Sequence, residues 1–533
     1  MATNFVKGTN KADYLAGTWG RNIILGLAGD DSLLGDGDIR RGDGEKAHLR
    51  GNADLLVGGW DADMLWGDGR VAAGGYGAEA LIDGGNDSLR GDGGNDTLYG
   101  DGTVEVTAPQ VYARTAGIRG GNDVLRGGAG NDQIHGDGLV LGGAATEPPW
   151  MAGGADTLFG EDGNDLIYGD GVLSIVSPAG MLLTGGADRL DGGTGDDTLY
   201  GDGIVSPYSY MSGEMIGGKD VLHGAAGDDA LYGDGGVSTF RVSATLTGGA
   251  DSIWGGSGND LVQGDGWAYG GNVEITGAAD CLDGGSGADT VLGDGEMSAA
   301  PGFSPGTAVL TGGIDTINGG TGADSVLGDG RVFTNGDSTL TGGADRIYGG
   351  SGDDVIQGDG VVEGEYLALL KGGDDTIFGG DGNDMIHGDG TANTGYSGLP
   401  FGRAELLGGD DRIVGGRGDD ILWGDGTATN GTETVVDGGA DSFVFNERDG
   451  RDKIMDFRSA DGDIIHFTSR RLEWSDLDSN RNGRLDDADR FVSVEDGGTR
   501  IDHGAATGSS GPGEDIVTLA NATGLTASDF LFG

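Results

Sequence analysis

The hydrophobic pattern of this chain is made of single aliphatic positions, not of long apolar faces. A three-residue segment with one large aliphatic at its centre recurs in Gln133-Ile134-His135, Leu166-Ile167-Tyr168 and Thr198-Leu199-Tyr200. It returns around Leu231, Val262, Val291, Val326, Ile356, Ile386 and Leu422. Nine residues before each stands a second aliphatic: Leu125, Leu158, Leu190, Leu222, Ile253, Leu282, Ile317, Ile347, Ile377 and Ile413. Each segment reads as a minimal strand. The period of two points the central residue inward and its flanks outward. Two facing aliphatic ladders predict an all-β fold, a parallel β-roll or β-helix solenoid.

Turn residues separate these strands with equal regularity. Gly-Asp-Gly recurs with its aspartates at 36, 68, 101, 137, 170, 202, 234, 265, 294, 329, 359, 389 and 425, at a mean spacing of about 32 residues. A period in this range signals a solenoid, here of about 13 coils. Within a repeat three aspartates keep fixed separations of 9 and 5 residues, as in Asp345, Asp354 and Asp359. Two nine-residue halves do not fill the period, so a segment is inserted after each Gly-Asp-Gly. Val172–Thr184 and Val237–Thr247 read as apolar run, turn, apolar run, which predicts hairpins along one edge.

Composition narrows the function. Of 533 residues 120 are glycine, and 88 acidic against 31 basic residues give a net charge of −57. That charge excludes nucleic acid and anionic membrane surfaces as partners. No apolar run is long enough for a transmembrane helix. The start of the chain lacks the apolar core of a cleaved signal peptide. The single Cys281 is expected to be a free, inert thiol.

The half-repeat from 349 to 357 fits Gly-Gly-x-Gly-x-Asp-x-U-x, where U is a large aliphatic. Near-complete copies begin at Gly127, Gly192, Gly255, Gly284, Gly319, Gly349, Gly379 and Gly415, and degenerate ones at Gly26, Gly58, Gly91, Gly160 and Gly224. The pattern resembles the calcium-binding nonapeptide of the RTX (repeats-in-toxin) proteins. Calcium takes six to eight oxygen ligands, more than one turn supplies. Turns of successive coils can sandwich an ion between them. The first candidate ligand series is therefore Asp31, Asp63, Asp96, Asp132, Asp165, Asp197, Asp229, Asp260, Asp289, Asp324, Asp354, Asp384 and Asp420. A second calcium edge is expected where the insert leaves and returns. It would use Asp137, Asp170, Asp202, Asp234, Asp265, Asp294, Asp329, Asp359, Asp389 and Asp425 of Gly-Asp-Gly. Opposite them stand Asp123, Asp156, Asp188, Asp220, Asp251, Asp280, Asp315, Asp345, Asp375 and Asp411 of Gly-Gly-x-Asp. Roughly two dozen calcium ions would bring the charge close to neutral.

Three regions are expected: 1–50 as a degenerate N-terminal cap, 51–436 as the roll with its inserts, and 437–533 as a C-terminal cap. Asp441-Ser442-Phe443-Val444-Phe445 begins like a repeat but brings in bulky aromatics, and resembles the closing segment of serralysin-type RTX proteins. Residues 478–489 resemble an EF-hand or dockerin-like calcium loop, with Asp478, Asn480 and Asn482 at positions one, three and five. Asp489 replaces the usual glutamate at position twelve. The end, Leu525 to Gly533, resembles the export signal of type I secretion substrates.

His135, His223 and His387 read as solvated outward residues. Trp66, Tyr99, Tyr168, Tyr200, Tyr232 and Trp423, at the same outward position, read as packing beneath the inserts, with an exposed stripe for self-assembly or glycan contact as the alternative. No nucleophile elbow, Walker loop or zinc-protease motif is present. These patterns predict a non-enzymatic calcium-binding protein of the cell exterior or surface. The RTX resemblance implies export by type I secretion machinery and folding on calcium outside the cell. Self-association into a surface layer, filament or matrix is the leading expectation. A calcium-dependent adhesin for surface glycans stands second, and an enzyme using the solenoid groove third.

Overall fold

The computed structural model describes residues 3–42, 45–107, 113–176, 180–207, 211–299, 306–394 and 402–533. The chain forms two compact units, residues 1–281 with 294–308, and residues 282–293 with 309–533. Both are built of coils of parallel strands. No helix among the described residues is long and apolar enough to cross a membrane.

One coil of the first unit shows how the sequence sets its own fold. Thr157–Asp162 buries Leu158, and after a glycine turn Leu166–Tyr168 buries Ile167. The chain then enters the insert, with strands Gly171–Val176 and Met181–Thr184. Each strand pairs in parallel with its counterpart one coil on: Leu158 with Leu190, Ile167 with Leu199, Leu173 with Val205, Leu183 with Met215. A coil thus has four strands, and the repeat builds two roll sheets and two insert sheets. The second unit repeats this design, with Ile347 opposite Ile377, Ile356 opposite Ile386, Val332 opposite Val362 and Leu340 opposite Leu370.

The expected hairpins are therefore corrected. The two strands of an insert hydrogen-bond to neighbouring inserts, not to each other. Successive inserts run alongside one another, so each strand finds a partner in the next coil. Their alternating aliphatics then meet between the two insert sheets as a second core, with Leu173, Ile175, Met181 and Leu183 all buried.

The turns use the left-handed region. In a full repeat Gly193 and Gly195 have φ of +108° and +124°. In the degenerate repeats Leu27, Asp92, Glu161 and Ala225 hold the same left-handed turn position, with φ between 75° and 101°. These non-glycine residues carry backbone strain that glycine avoids.

The solvated reading of the histidines is also corrected for His135, which is fully buried. Trp66, Tyr99, His135, Tyr168, Tyr200 and Tyr232 stack as a continuous ladder, with ring centroids 4.7–5.7 Å apart. The ladder lies in the corner between the second roll sheet and the first insert sheet, where Leu139 packs against it. Burial pushes the His135 imidazole down to about 3, so it stays neutral. His387 stacks on Trp423 at 4.3 Å and is pushed down to about 4 for the same reason.

At the C-terminal end of the second unit the aliphatic ladder gives way to aromatics. Strands Ser442–Phe445 and Ile464–Phe467 bury Phe443, Phe445 and Phe467. Phe467 lies against His503 and Phe530. Antiparallel pairing enters here, joining Val492–Glu495, Gly498–Ile501 and Ile516–Leu519.

Truncating one inward aliphatic tests the ladder. Leu199→Ala removes a fully buried side chain. It is expected to destabilise its unit by about 2–5 kcal/mol, read as a lower urea midpoint in saturating calcium. An unchanged midpoint would show that Leu199 is not core.

Candidate metal centre

All the aspartates of the three predicted series are buried. Their arrangement follows from the stacking of identical turns. In the first series the backbone N–H of each aspartate donates to Oδ1 of the aspartate one coil on. Asp132 donates to Asp165 at 2.7 Å, Asp165 to Asp197 at 2.7 Å and Asp197 to Asp229 at 2.8 Å. The second unit does the same from Asp324 to Asp354, Asp384 and Asp420. The Gly-Gly-x-Asp series is bonded identically, Asp123 to Asp156, Asp156 to Asp188 and Asp188 to Asp220, each at 2.6 Å. In the second unit Asp345 donates to Asp375 and Asp375 to Asp411.

This leaves the other oxygen of several of these carboxylates without a hydrogen-bond partner. Oδ2 of Asp132, Asp165, Asp197 and Asp229 is buried and accepts no hydrogen bond, as is Oδ2 of Asp123, Asp156, Asp188 and Asp220. The Gly-Asp-Gly aspartates divide their oxygens differently. Oδ2 of Asp137, Asp170 and Asp202 accepts from the N–H of Gly154, Gly186 and Gly218 at 3.0–3.2 Å, and Oδ1 is left over. A buried polar atom without a partner is costly, and a buried charge more so.

The leftover oxygens converge. Among the described residues three carboxylates come within 4.8 Å of one another, by one oxygen each, at three places. These are Asp68, Asp87 and Asp101; Asp170, Asp188 and Asp202; and Asp202, Asp220 and Asp234. All three lie on the edge where the insert departs and returns. Backbone carbonyls approach the same spaces. A side chain on Gly169 would fall on the Gly201 carbonyl and the Asp188 carboxylate, and one on Gly160 on the Gly192 carbonyl and Asp165. The glycines thus hold open cradles of hard anionic and carbonyl oxygens, the donor set that suits calcium and not a softer metal.

The carboxyl groups respond to this burial as the physics requires. Burial pushes Asp132 up to about 7 and Asp197 to about 8, with neighbouring aspartates adding to the rise. Asp123, Asp137, Asp188 and Asp202 rise well above the ordinary range, first through burial and then through repulsion from adjacent carboxylates.

Several ligand-type residues escaped the sequence reading. Asp54, Asp68, Asp87 and Asp101 extend the second edge into coils where the motif is degenerate. At the other end Asp441, Asp463 and Asp452 continue the two columns of backbone-to-carboxylate bonds past the last insert. The 9-and-5 spacing around Asp411, Asp420 and Asp425 could have led to Asp441, which follows Gly438-Gly439-Ala440 as in a repeat. Asp425 departs from its series, since the Arg458 guanidinium sits 3.1 Å from its Oδ2. A protein cation stands there at the end of the column.

The loop 478–489 closes on its own acids. Asp478 accepts from the N–H groups of Asn482 and Gly483 at 3.0 Å, and Asp489 from those of Asn480 and Asp486. The Asn480 and Asn482 amides donate to Asp486, a residue the motif comparison passed over. Cys281 is free and exposed.

Stacked glycine-rich turns that aim buried carboxylate and carbonyl oxygens into shared spaces define a calcium-binding β-solenoid. Eleven segments match the family model of the RTX calcium-binding nonapeptide repeat: 3–39, 82–102, 119–138, 152–171, 184–203, 217–240, 245–266, 309–330, 336–360, 371–398 and 407–428. The chain belongs to this RTX family. No curated protein matches it.

Two outcomes follow. Asp202 takes part in two of the three-carboxylate sites. Asp202→Asn is expected to raise the calcium concentration at the folding midpoint several-fold, whereas Asp196→Asn, on the exposed side of a turn, leaves it nearly unchanged. Equal effects in a calcium titration followed by circular dichroism would overturn the assignment. The second outcome concerns pH. In the calcium-free chain these carboxyls have folded values near 7–8, against 3.8 for an ordinary aspartate. A raised value means that the folded state holds the proton more tightly. The stability so gained is complete below about pH 4 and is lost as pH rises through 7–8. The chelated protein should therefore gain β-structure on acidification and lose it on return to neutral pH. β-content that is flat from pH 4 to 8 would contradict this.

Proposed function

We propose that the protein is a secreted, non-catalytic structural protein whose folding is switched on by extracellular calcium. The observation that supports this reading is the column of buried, partnerless aspartate oxygens running coil after coil. Without cations these charges repel one another and oppose the compact state. With cations, binding free energy becomes folding free energy. A site of about 0.1 mM affinity in 1 mM calcium gains roughly 1.4 kcal/mol, and the repeat multiplies that gain. Scarce cytosolic calcium would keep the chain extended for export by type I secretion machinery, and the exterior would fold it at the cell surface or beyond. On this reading the aspartates of the columns serve as cation ligands, not as acid–base groups.

The reading extends to self-association into a layer, filament or matrix, with the insert edge making lateral contacts. Circular dichroism should show coil turning to β on adding calcium and reverting with chelator. Light scattering and electron microscopy in calcium should then show ordered assemblies. A spectrum indifferent to calcium would overturn the switch. A strictly monomeric protein at high concentration would overturn assembly alone.

A further inference from the structure

The aromatic ladder of the first unit ends abruptly, and a cavity begins where it ends. The last ring, Tyr232, stacks on Tyr200 at 4.8 Å, so its other face looks toward the following coil. The residue in register there is Gln263, an amide in place of a ring. A cavity of about 310 Å³ opens at this point in the corner between roll and insert, lined by Tyr232, Gln263, Trp267, Tyr269, Glu296 and Ser298. That volume is at the lower end of the roughly 300–1,000 Å³ found for ligand sites.

The lining is built, not incidental. Gln263 is only 4% exposed, yet its Oε1 has no hydrogen-bond partner. Buried amide oxygens are otherwise almost always satisfied. The Trp267 ring lies over Gly236, where any side chain would collide with it. Tyr269, two residues on along the same strand, stands at the rim and is 38% exposed.

We propose that this cavity binds one neutral pyranose unit of a glycan. The apolar face of a sugar ring matches the aromatic surface of Tyr232, Trp267 and Tyr269. The polar groups are mainly acceptors: the Gln263 carbonyl, the Glu296 carboxylate and the Ser298 hydroxyl. They call for a ligand rich in O–H donors. The carboxylate, within a chain of net charge −57, disfavours acidic sugars. A quaternary ammonium would also suit the rings, but it offers no proton to the Gln263 oxygen. Gln263 and Trp267 lie two residues on either side of Asp265 of the second calcium edge, so the site is read on the chain folded in calcium.

The test uses the full chain in millimolar calcium, with its β-spectrum checked first. Methyl glycosides of glucose, galactose, mannose and N-acetylglucosamine are titrated by saturation-transfer NMR and tryptophan fluorescence. At least one should bind saturably in the millimolar range. Gln263→Leu, which keeps the bulk and removes the acceptor, should weaken that binding about tenfold. Tyr269→Ala, at the exposed rim, should weaken it comparably with the β-spectrum unchanged, and it decides the matter if the Gln263 variant does not fold. The proposal is overturned if no glycoside saturates, if both variants bind like the parent, or if tetramethylammonium binds more tightly than every glycoside. Any of these results leaves calcium-dependent folding untouched.

Discussion

The structure rests on a conflict between burial and charge. Stacking identical turns satisfies the backbone, because each coil supplies acceptors for the N–H groups of its neighbour. The same stacking brings an aspartate of every coil into line with the next and buries it. One oxygen of each is absorbed by a backbone N–H, and the other is left facing like charges at close range. Neither feature can be kept without the other. The hydrophobic ladders favour closing the roll, and closing it creates the carboxylate columns. The net charge of −57 is therefore not a surface property, as acidic charge usually is. Much of it lies inside, along the edges of the coils.

Much of this was legible in the sequence because the repeat leaves little freedom. The spacing of nine residues between the two aliphatic ladders gave the roll, and Leu158 and Ile167 lie where the alternation placed them. The convergence of carboxylates where the insert leaves and returns was legible too. Asp170, Asp188 and Asp202, far apart in a single repeat, are brought together by the stacking alone. What escaped depended on relations between coils, not within them. The inserts read as hairpins because each one contains two apolar runs around a turn. Nothing in a single insert says that its strands prefer the next copy. His135 read as solvated because its strand position points outward. Its burial comes from Tyr99 and Tyr168, one coil away on either side.

The C-terminal residues from Asp441 on follow a different rule. There the repeat spacing lapses, large aromatics replace the aliphatics, and Arg458 supplies a fixed positive charge beside Asp425. Sequence pattern could flag the change at Phe443 and Phe445, but not the ion pair, which joins residues 33 positions apart. The Asp87 cluster was passed over although its patterns are intact: Asp68 and Asp101 sit in Gly-Asp-Gly and Asp87 in Gly-Gly-Asn-Asp. It is the opposite edge that deviates, at the nonapeptide beginning with Gly91, and there the backbone keeps the left-handed turn with Asp92 in place of glycine.

That tolerance carries a mechanical consequence. Leu27, Asp61, Asp92, Glu161 and Ala225, the non-glycine residues forced into left-handed turns of the repeats, all belong to the first unit. The corresponding turns of the second unit carry glycines, such as Gly320, Gly350, Gly380 and Gly416. Each strained turn costs on the order of 1 kcal/mol. The array is thus graded, not uniform. At these turns the first unit carries a backbone cost that the glycines of the second avoid.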